Sequence, residues 1–211
     1  MNIVNRFMMF EYYDGVVIRN EVRLFIEVGN IMINYKTIDY NYFEAYDKIP
    51  MQVNVNSHYV LDKINNGLGG ILLKEVQVES YIRDFAEHAK ITKFSKKFNI
   101  TNWKFFMVFD DKQPIGAVTI VSRTDAIHML DGRDDMSVLW DICVSDTYKH
   151  KGIGQKLFDL AVEWSRSNGF KQMKIECQNN NVPACKFYHK QGAVLRKIDE
   201  YARSEEHTSE Q

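Results

Sequence analysis

The chain has 211 residues, enough to bury one hydrophobic core, and its 45% hydrophobic and 26% charged residues are typical of a globular protein. Its formal net charge of -1 excludes a general attraction to nucleic acids or anionic membranes. No apolar run approaches the ~18 residues that span a bilayer. We therefore expect no nucleic-acid or membrane partner, and any anionic ligand must be held by a local group of residues.

The cysteines and the N-terminal segment favour a cytoplasmic protein. Cys143, Cys177 and Cys185 are an odd number of cysteines, and they lack the CxxC spacing of metal sites. Residues 1–10 lack the apolar stretch and the small-residue cleavage site of a secretory signal. The sequence therefore predicts a reduced, cytoplasmic protein without a metal.

The first half of the chain predicts three strands and two helices. Apolar and polar residues alternate over 31–38, as in a half-buried strand, and residues 40–49 have the pattern of a short helix. Further strands are predicted over 52–61 and 71–78, and a second helix over 80–98.

The second half begins with a hairpin of two apolar strands and continues with alternating strands and helices. In chain order, these elements are predicted over 105–109, 115–121, 138–144, 152–168, 173–178, 181–192 and 193–201. Strand, helix, strand, helix, strand is the order expected for α/β packing.

The strongest chemical signal is the segment Lys149–Gly154, between a strand and an amphipathic helix. Gly152 and Gly154 let the backbone approach a ligand, and the unpaired amides of the first helical turn carry the positive end of the helix dipole. Residues 149–151 add cationic side chains, so a diphosphate would fit. The Walker and dinucleotide patterns are absent. The segment is therefore interpreted as an anion site of some other kind, and the alternative is a glycine-containing turn with solvated lysines.

A second segment, Asn181 to Gly192, makes the first one more specific. It reads Asn-x-x-Ala-x-x-Phe-Tyr-x-x-x-Gly, with Asn181, Ala184, Phe187, Tyr188 and Gly192 in the named positions. The first segment follows the pattern Gln/Arg-x-x-Gly-x-Gly/Ala, except that Lys149 in the lead position lacks a fork-shaped donor. Together the two segments resemble the acetyl-CoA-binding core of the GNAT superfamily of N-acetyltransferases. Residues 140–144 and 175–192 are similar to its streptothricin acetyltransferase branch.

This resemblance covers roughly residues 32–202. It implies the GNAT fold, a mixed central sheet flanked by helices, with acetyl-CoA as co-substrate. The amides of residues 150–155 would take the pyrophosphate, while backbone groups of 142–144 and Asn181 would hold the pantetheine arm. The cofactor-binding residues that it implies are Ile142, Cys143, Val144, Lys149, His150, Lys151, Gly152, Ile153, Gly154, Gln155, Asn181, Ala184 and Tyr188.

The reaction implied is direct attack of a primary amine on the thioester in a ternary complex. The Val144 amide would stabilise the oxyanion, and Tyr188 would protonate the departing thiolate. A lysine-like amine has a pKa near ~10.4 and arrives protonated, so a base or a water chain is required. Asp141 and Glu176 are both candidates for this base, and each is also compatible with anchoring a cationic substrate or with a solvated carboxylate.

Three other side chains carry open interpretations. Trp103 and Tyr201 either line the acceptor pocket or belong to the core. Cys143 is interpreted as buried packing, because direct transfer needs no nucleophilic thiol.

The acceptor expected is a small cationic amine, which would make antibiotic resistance a function of the protein. The alternatives are a protein or peptide N-acetyltransferase and a catalytically inactive acyl-CoA-binding module. Both a monomer and a homodimer are compatible with the sequence.

The two ends of the chain are expected to lie outside the fold. Residues 1–31 are interpreted as an N-terminal extension, 32–202 as the N-acetyltransferase domain and 203–211 as a disordered polar tail that is foreign to the protein. The resemblance implies one more strand after 193–201, inserted beside strand 171–178. The tail cannot supply it, so the last C-terminal strand is expected to be missing and a sheet edge to be exposed.

Overall fold

The structure, a computed structural model, describes residues 7–13, 33–86 and 90–200. These residues form two compact units. The larger unit takes the described residues of 11–51 and 85–175, and the smaller unit takes those of 1–10, 52–84 and 176–211.

The described elements are nine strands and four α-helices. The strands are β1 Phe7–Tyr13, β2 Ile33–Thr37, β3 Gln52–Lys63, β4 Ile71–Asp84, β5 Lys104–Asp110, β6 Gln113–Ser122, β7 Met136–Val144, β8 Gln172–Gln178 and β9 Val194–Asp199. The helices are α1 Phe43–Tyr46, α2 Ile91–Lys97, α3 Ile153–Ser167 and α4 Val182–Lys190. Short 3-10 helices span Tyr40–Tyr42, Ile64–Gly67, His128–Leu130 and Asp146–Tyr148.

The sheet of the larger unit has the strand order β2-β5-β6-β7-β8. The first three pairings are antiparallel, and β7 pairs in parallel with β8. A parallel pair needs a crossover connection, and α3 supplies it. The predicted mixed sheet flanked by helices is confirmed.

Helix α3 packs on the sheet through one apolar stripe. Its buried residues include Ile153, Leu157, Phe158, Ala161 and Val162, which recur after three or four residues and so lie on one helical face. Burying a large apolar side chain of this kind stabilises the fold by roughly 1.5–3 kcal/mol. The stripe therefore fixes the start of α3 relative to the strand that precedes it.

A second buried cluster in the larger unit is rich in aromatic residues. Its members come from α1, α2, the strands of the sheet and the segments between them, and they include Phe43, Tyr46, Phe94, Trp103 and Phe105. Trp103 is 6% exposed, and its indole N–H donates to Thr124 Oγ1 at 2.9 Å. Trp103 is therefore a core residue, and Tyr201 lies outside the described residues.

The smaller unit contains a long antiparallel hairpin, β3 with β4. Its β3 strand is joined to the segment before α4, because the Tyr59 amide donates to the Asn179 carbonyl at 3.0 Å and the Asn179 side chain donates to the Tyr59 carbonyl at 2.8 Å. An ion pair of 2.7 Å joins Lys186 of α4 to Glu75 of β4. These contacts anchor the hairpin to α4.

The structure corrects the expectation for the N-terminal segment. Strand β1, whose first four residues belong to the smaller unit, lies between β8 and β9 in the strand order. Met8 and Phe10 are 1% and 4% exposed, and the Cys185 thiol lies 3.9 Å from Met8 Sδ. Part of the predicted extension is thus a sheet strand, and the edge of β8 that was expected to be uncovered is occupied by β1.

The predicted helix over 80–98 is wrong in its first part. Strand β4 continues to Asp84, paired there with Gln52, and α2 begins only at Ile91. Cross-strand pairing with β3 outweighs the helical spacing of the side chains in this segment. The predicted polar tail, 203–211, lies outside the described residues. No described helix has the length and apolar character needed to cross a bilayer.

Candidate active site

One backbone edge of β7 is open over its second half. On its β6 side, β7 is paired as far as Val144, which lies opposite Gly116. On its other side, the pairing with β8 ends at Leu139. Among the described residues, no strand pairs with that side of residues 140–144.

The alternation of hydrogen bonds along β7 decides which residues present their N–H and C=O groups at this open edge. The Ser145 amide donates to the Ile115 carbonyl of β6 at 2.8 Å. Because bonded and non-bonded pairs alternate along an antiparallel ladder, Cys143 also bonds to β6, whereas Ile142 and Val144 direct their N–H and C=O groups to the other side. The open edge thus carries the donors and acceptors that an extended ligand can pair with.

A β-bulge lies just before this edge. Thr119 of β6 pairs with Asp141, whereas the next residue, Ile120, pairs with Leu139, so Trp140 has no partner of its own. A bulge changes the alternation of side chains at the inserted residue. Trp140 packs against Phe94 at a ring distance of 5.3 Å, and Asp141 also lies on the face that carries the aromatic cluster.

Asp141 belongs to a buried hydrogen-bonded group. The Tyr46 hydroxyl donates to Asp141 Oδ1 and lies 2.7 Å from Thr119 Oγ1. Burial raises the pKa of Asp141 to about 7, and the hydrogen bond from Tyr46 opposes this rise. Asp141 is therefore a carboxyl group that changes protonation state near neutral pH.

Cys143 faces the same cluster and is 6% exposed. Burial raises the pKa of its thiol well above the ordinary value, and the nearby charge of Asp141 raises it further. The thiol is thus held in its neutral form, which fits the interpretation of Cys143 as a packing residue.

The loop between β7 and α3 presents free amides at a helix start. Gly152 caps α3 in the left-handed region with φ +82°, and His150 is also left-handed with φ +60°. The first bond of the α3 ladder runs from the Lys156 amide to the Gly152 carbonyl at 3.0 Å. The amides of residues 153–155 precede that bond, so they remain available to an anion.

The space in front of this helix start is open. A Cβ added to Gly152 would meet no heavy atom within 4 Å. Residues 150–152 are exposed, so the loop reaches solvent. A ligand can therefore approach the amides without displacing part of the larger unit.

The cations of the loop are held by neighbours. Lys149 Nζ lies 2.5 Å from Asp146 Oδ1, and Lys151 Nζ lies 5.1 Å from the centre of the Tyr148 ring. Tyr148 in turn donates to Asp110 Oδ2 at 2.6 Å. These contacts orient the two lysines beside the loop. The amides of residues 153–155 remain the groups of the loop that are available to an anion.

Gly116 allows α3 to lie close to the sheet. A Cβ at this position would be 3.0 Å from the Cys143 carbonyl oxygen and 3.4 Å from Leu157 Cδ1 of α3. Only glycine fits there without displacement, so Gly116 sets the height of the helix start above β7. This residue was not identified from the sequence, because an isolated glycine in a strand has several explanations.

The smaller unit holds the remaining predicted residues. Asn181 caps α4 with its side-chain oxygen, which accepts from the Ala184 amide at 3.3 Å. Tyr188 is 5% exposed, and its ring lies 6.1 Å from that of Phe10. Glu176 lies on β8 and is half-buried.

The predicted site residues therefore form two groups, one in each unit. The larger unit brings together Asp141, the open edge 142–144 and the loop 149–155. The smaller unit brings together Asn181 and Tyr188 on α4. The roles of both groups toward a ligand stay predictions. No group of three or more metal-ligating side chains is found within the described residues.

Tyr46 and Thr119 are site residues that sequence reasoning missed. Tyr46 was predicted only as part of a short helix. Thr119 lies within the apolar run 114–121 of β6 and is fully buried, and this polar residue at a core position was the available signal.

A family model described as the acetyltransferase (GNAT) family matches residues 71–193. Among curated proteins, a streptothricin acetyltransferase of Escherichia coli is 38% identical over 91 residues, which are 43% of this chain and 47% of that protein. Streptothricin acetyltransferase A of Bacillus subtilis (strain 168) is 29% identical over 94 residues, 44% of this chain and 49% of that protein. The chain thus spans about half the length of the curated relatives it matches.

Solved structures share the fold. A protein of Bacillus anthracis str. Ames, assigned as a streptothricin acetyltransferase and solved in complex with acetyl coenzyme A, aligns with a TM-score of 0.60 and 24% identity over 78% of this chain and 86% of that one. A nourseothricin acetyltransferase aligns with a TM-score of 0.58 and 21% identity, covering 75% and 81%. From the family match, this chain belongs to the acetyltransferase (GNAT) family.

Proposed function

We propose that the protein transfers the acetyl group of acetyl-CoA to a primary amine of a small cationic acceptor, by direct attack in a ternary complex. The observation that carries this proposal is the start of α3, where the amides of residues 153–155 precede the first bond of the helical ladder and the space around Gly152 Cα is open. Membership of the GNAT family and the two streptothricin acetyltransferases among the relatives support it.

The chain would hold acetyl-CoA through its backbone. The amides of the loop 150–155 bind the pyrophosphate, helped by the positive end of the α3 dipole. Ile142 and Val144 pair with the pantetheine arm through the open edge of β7, and the Val144 amide donates to the thioester oxyanion. Asn181 and Ala184 of the α4 segment complete the cofactor contacts.

The transfer needs two proton movements. The acceptor ammonium gives up a proton to a base, and the amine nitrogen then forms a bond to the thioester carbon. The carbon–sulfur bond breaks as the tetrahedral intermediate collapses, and Tyr188 protonates the departing thiolate. The attacking nitrogen loses its second excess proton in the same collapse, and this proton restores the Tyr188 hydroxyl. Asp141 is the preferred base, because its pKa of about 7 matches a working pH near neutrality. Glu176 is the alternative base.

The streptothricin acetyltransferases among the relatives favour a small amine of antibiotic type as the acceptor. The competing candidates are a protein or peptide acceptor and an acyl-CoA-binding module without turnover. The test measures thiol release from acetyl-CoA with streptothricin, aminoglycosides, polyamines and lysine-containing peptides, together with calorimetry of acetyl-CoA binding.

Thiol release with a small cationic amine, and none with peptides, is the expected result. Tight binding of acetyl-CoA without release from any acceptor would support the inactive module. Absence of binding heat with folded protein would overturn the proposal altogether.

A further inference from the structure

Three side chains from distant parts of the larger unit meet behind the open edge of β7. Tyr46 from α1, Thr119 from β6 and Asp141 from β7 are 2%, 0% and 8% exposed. The Tyr46 hydroxyl has one proton, which it donates to Asp141 Oδ1. Thr119 Oγ1, at 2.7 Å, must therefore donate to Tyr46 Oη. The result is a directed chain of hydrogen bonds that ends on the carboxylate.

Only one oxygen of the Asp141 carboxylate takes part in this chain. Oδ2 is buried and has no hydrogen-bond partner among the described residues. A buried carboxylate oxygen without a donor is costly, so such an atom is expected where a bound ligand supplies the missing donor. A protonated amine is a donor of the required kind.

We propose that Tyr46 and Thr119 are positioning residues, which hold Asp141 by Oδ1 so that Oδ2 accepts a proton from the acceptor amine. This inference rests on the proposed acetyl transfer and adds two residues to it. The transferred proton converts the carboxylate to the carboxylic acid, and the lone pair released on nitrogen attacks the thioester carbon. After the product leaves, the proton passes to solvent and the carboxylate is restored.

The other titratable groups near Asp141 do not compete for this role. Asp47, just after α1, raises the Asp141 pKa by its charge, and its own carboxylate accepts from the Ile91 amide at 2.7 Å. Cys143 on the same strand has a thiol pKa well above its ordinary value. Burial and the Asp141 charge also raise the pKa of Tyr46 well above its ordinary value, so Tyr46 stays a donor.

The test is the pH dependence of kcat/KM in wild type and Tyr46→Phe. Loss of the Tyr46 donor destabilises the ionised carboxylate, so we expect the acidic limb to move to higher pH by about one to two units. At pH 7, where the ionised fraction of Asp141 would fall from about one half to between a tenth and a hundredth, kcat/KM should then fall by about five- to fiftyfold. Thr119→Val should shift the acidic limb in the same direction. This variant replaces Tyr46→Phe as the test if Tyr46→Phe does not fold.

Ser137→Ala is the matched control, because it removes a buried hydroxyl from the same strand. Ser137 Oγ lies 2.9 Å from Ser165 Oγ of α3, apart from the Asp141 chain. This variant should lose some stability but keep the wild-type limb. If the acidic limb of the kcat/KM profile has the same midpoint in wild type and in Tyr46→Phe, and turnover is intact, the inference is overturned while the proposed function stands.

A second measurement does not depend on turnover. The titration of the Asp141 carboxyl carbon, followed by ¹³C NMR of aspartate-labelled protein and assigned with Asp141→Asn, should move to higher pH in Tyr46→Phe. An unchanged midpoint would refute the positioning by Tyr46. A shifted midpoint in a protein that acetylates nothing would refute the proton-accepting role together with the proposed function.

Discussion

Gly152 and Gly169 have nearly the same positive φ angle at opposite ends of α3. Their φ angles are +82° and +80°, and a Cβ at either position would meet no atom within 4 Å. Any side chain is therefore strained to a similar degree at both, by roughly 1–2 kcal/mol. Gly152 directly precedes the amides that are proposed to bind pyrophosphate, whereas Gly169 follows the other end of the helix.

This pair gives the first prediction. Gly152→Gln should raise the Kd for acetyl-CoA by about a hundredfold or more, because the side chain occupies the space of the ligand and the strained turn misaligns the amides. Gly169→Gln should unfold at a denaturant concentration similar to that of Gly152→Gln, but it should bind acetyl-CoA as tightly as wild type does. Isothermal calorimetry checks both. Equal affinities in the two variants would show that the loop is an ordinary turn.

Tyr188 gives the second prediction. Its ring is packed against Phe10, so Tyr188→Phe keeps the apolar contacts and removes only the hydroxyl. If this hydroxyl protonates the leaving thiolate, kcat should fall by about a hundredfold, while the Kd for acetyl-CoA changes little.

Tyr81→Phe is the control for that experiment. It also removes one hydroxyl from the smaller unit, where Tyr81 accepts from the Asn180 side chain at 3.1 Å. Turnover in this variant should stay at the wild-type level. An unchanged kcat in Tyr188→Phe would assign Tyr188 to packing alone.

At the scale of elements, strand β1 is the clearest departure from expectation. Neighbouring methionines of the strand differ in burial, since Met8 is 1% exposed and Met9 is half-buried. This difference follows from the alternation of side chains along a strand. The same Met→Ala substitution can therefore be made on each face of β1, at Met8 and at Met9.

The third prediction concerns these methionines. Met8→Ala should lower the free energy of unfolding by about 2–4 kcal/mol, since it leaves a cavity beside Cys185 of α4. Met9→Ala should cost clearly less. Urea denaturation of the two variants measures the difference. Equal, small losses would mean that residues 7–13 contribute no strand to the fold, as the sequence alone suggested.

At the scale of the whole molecule, the buried Asp141 makes stability depend on pH. Its pKa is about 7 in the folded chain against an ordinary value of 3.8. Between these two values the unfolded chain has released the proton while the folded chain retains it. The unfolded state then binds fewer protons, so the free energy of unfolding falls as the pH rises through this window.

The fourth prediction follows from that sign. From pH 4 to pH 7 the contribution of Asp141 should decrease by at most about 4 kcal/mol, at about 1.4 kcal/mol for each pKa unit, and stay constant above pH 7. Asp141→Asn removes this contribution, so its unfolding free energy should vary less with pH than that of wild type. Urea denaturation across pH 4.5–8 compares the two. Parallel curves would contradict the burial of an ionisable group at 141.

Local chemistry let the sequence predict much of the site. The loop 149–155 needs only glycines and cations next to a helix start, and the Asn181 cap needs only a short polar side chain before a helix, so neighbours in the chain specify both. The alternation of strands and helices in the second half is also local, because it follows from side-chain periodicity.

Tertiary structure alone decided the features that join distant segments. Tyr46 meets Thr119 and Asp141 across 73 and 95 residues, and no local pattern specifies such a meeting. The place of β1 beside β8 likewise depends on a sheet edge formed by residues far along the chain. Sequence periodicity records which face of an element is apolar, whereas the partner of that face is chosen only when the whole chain packs.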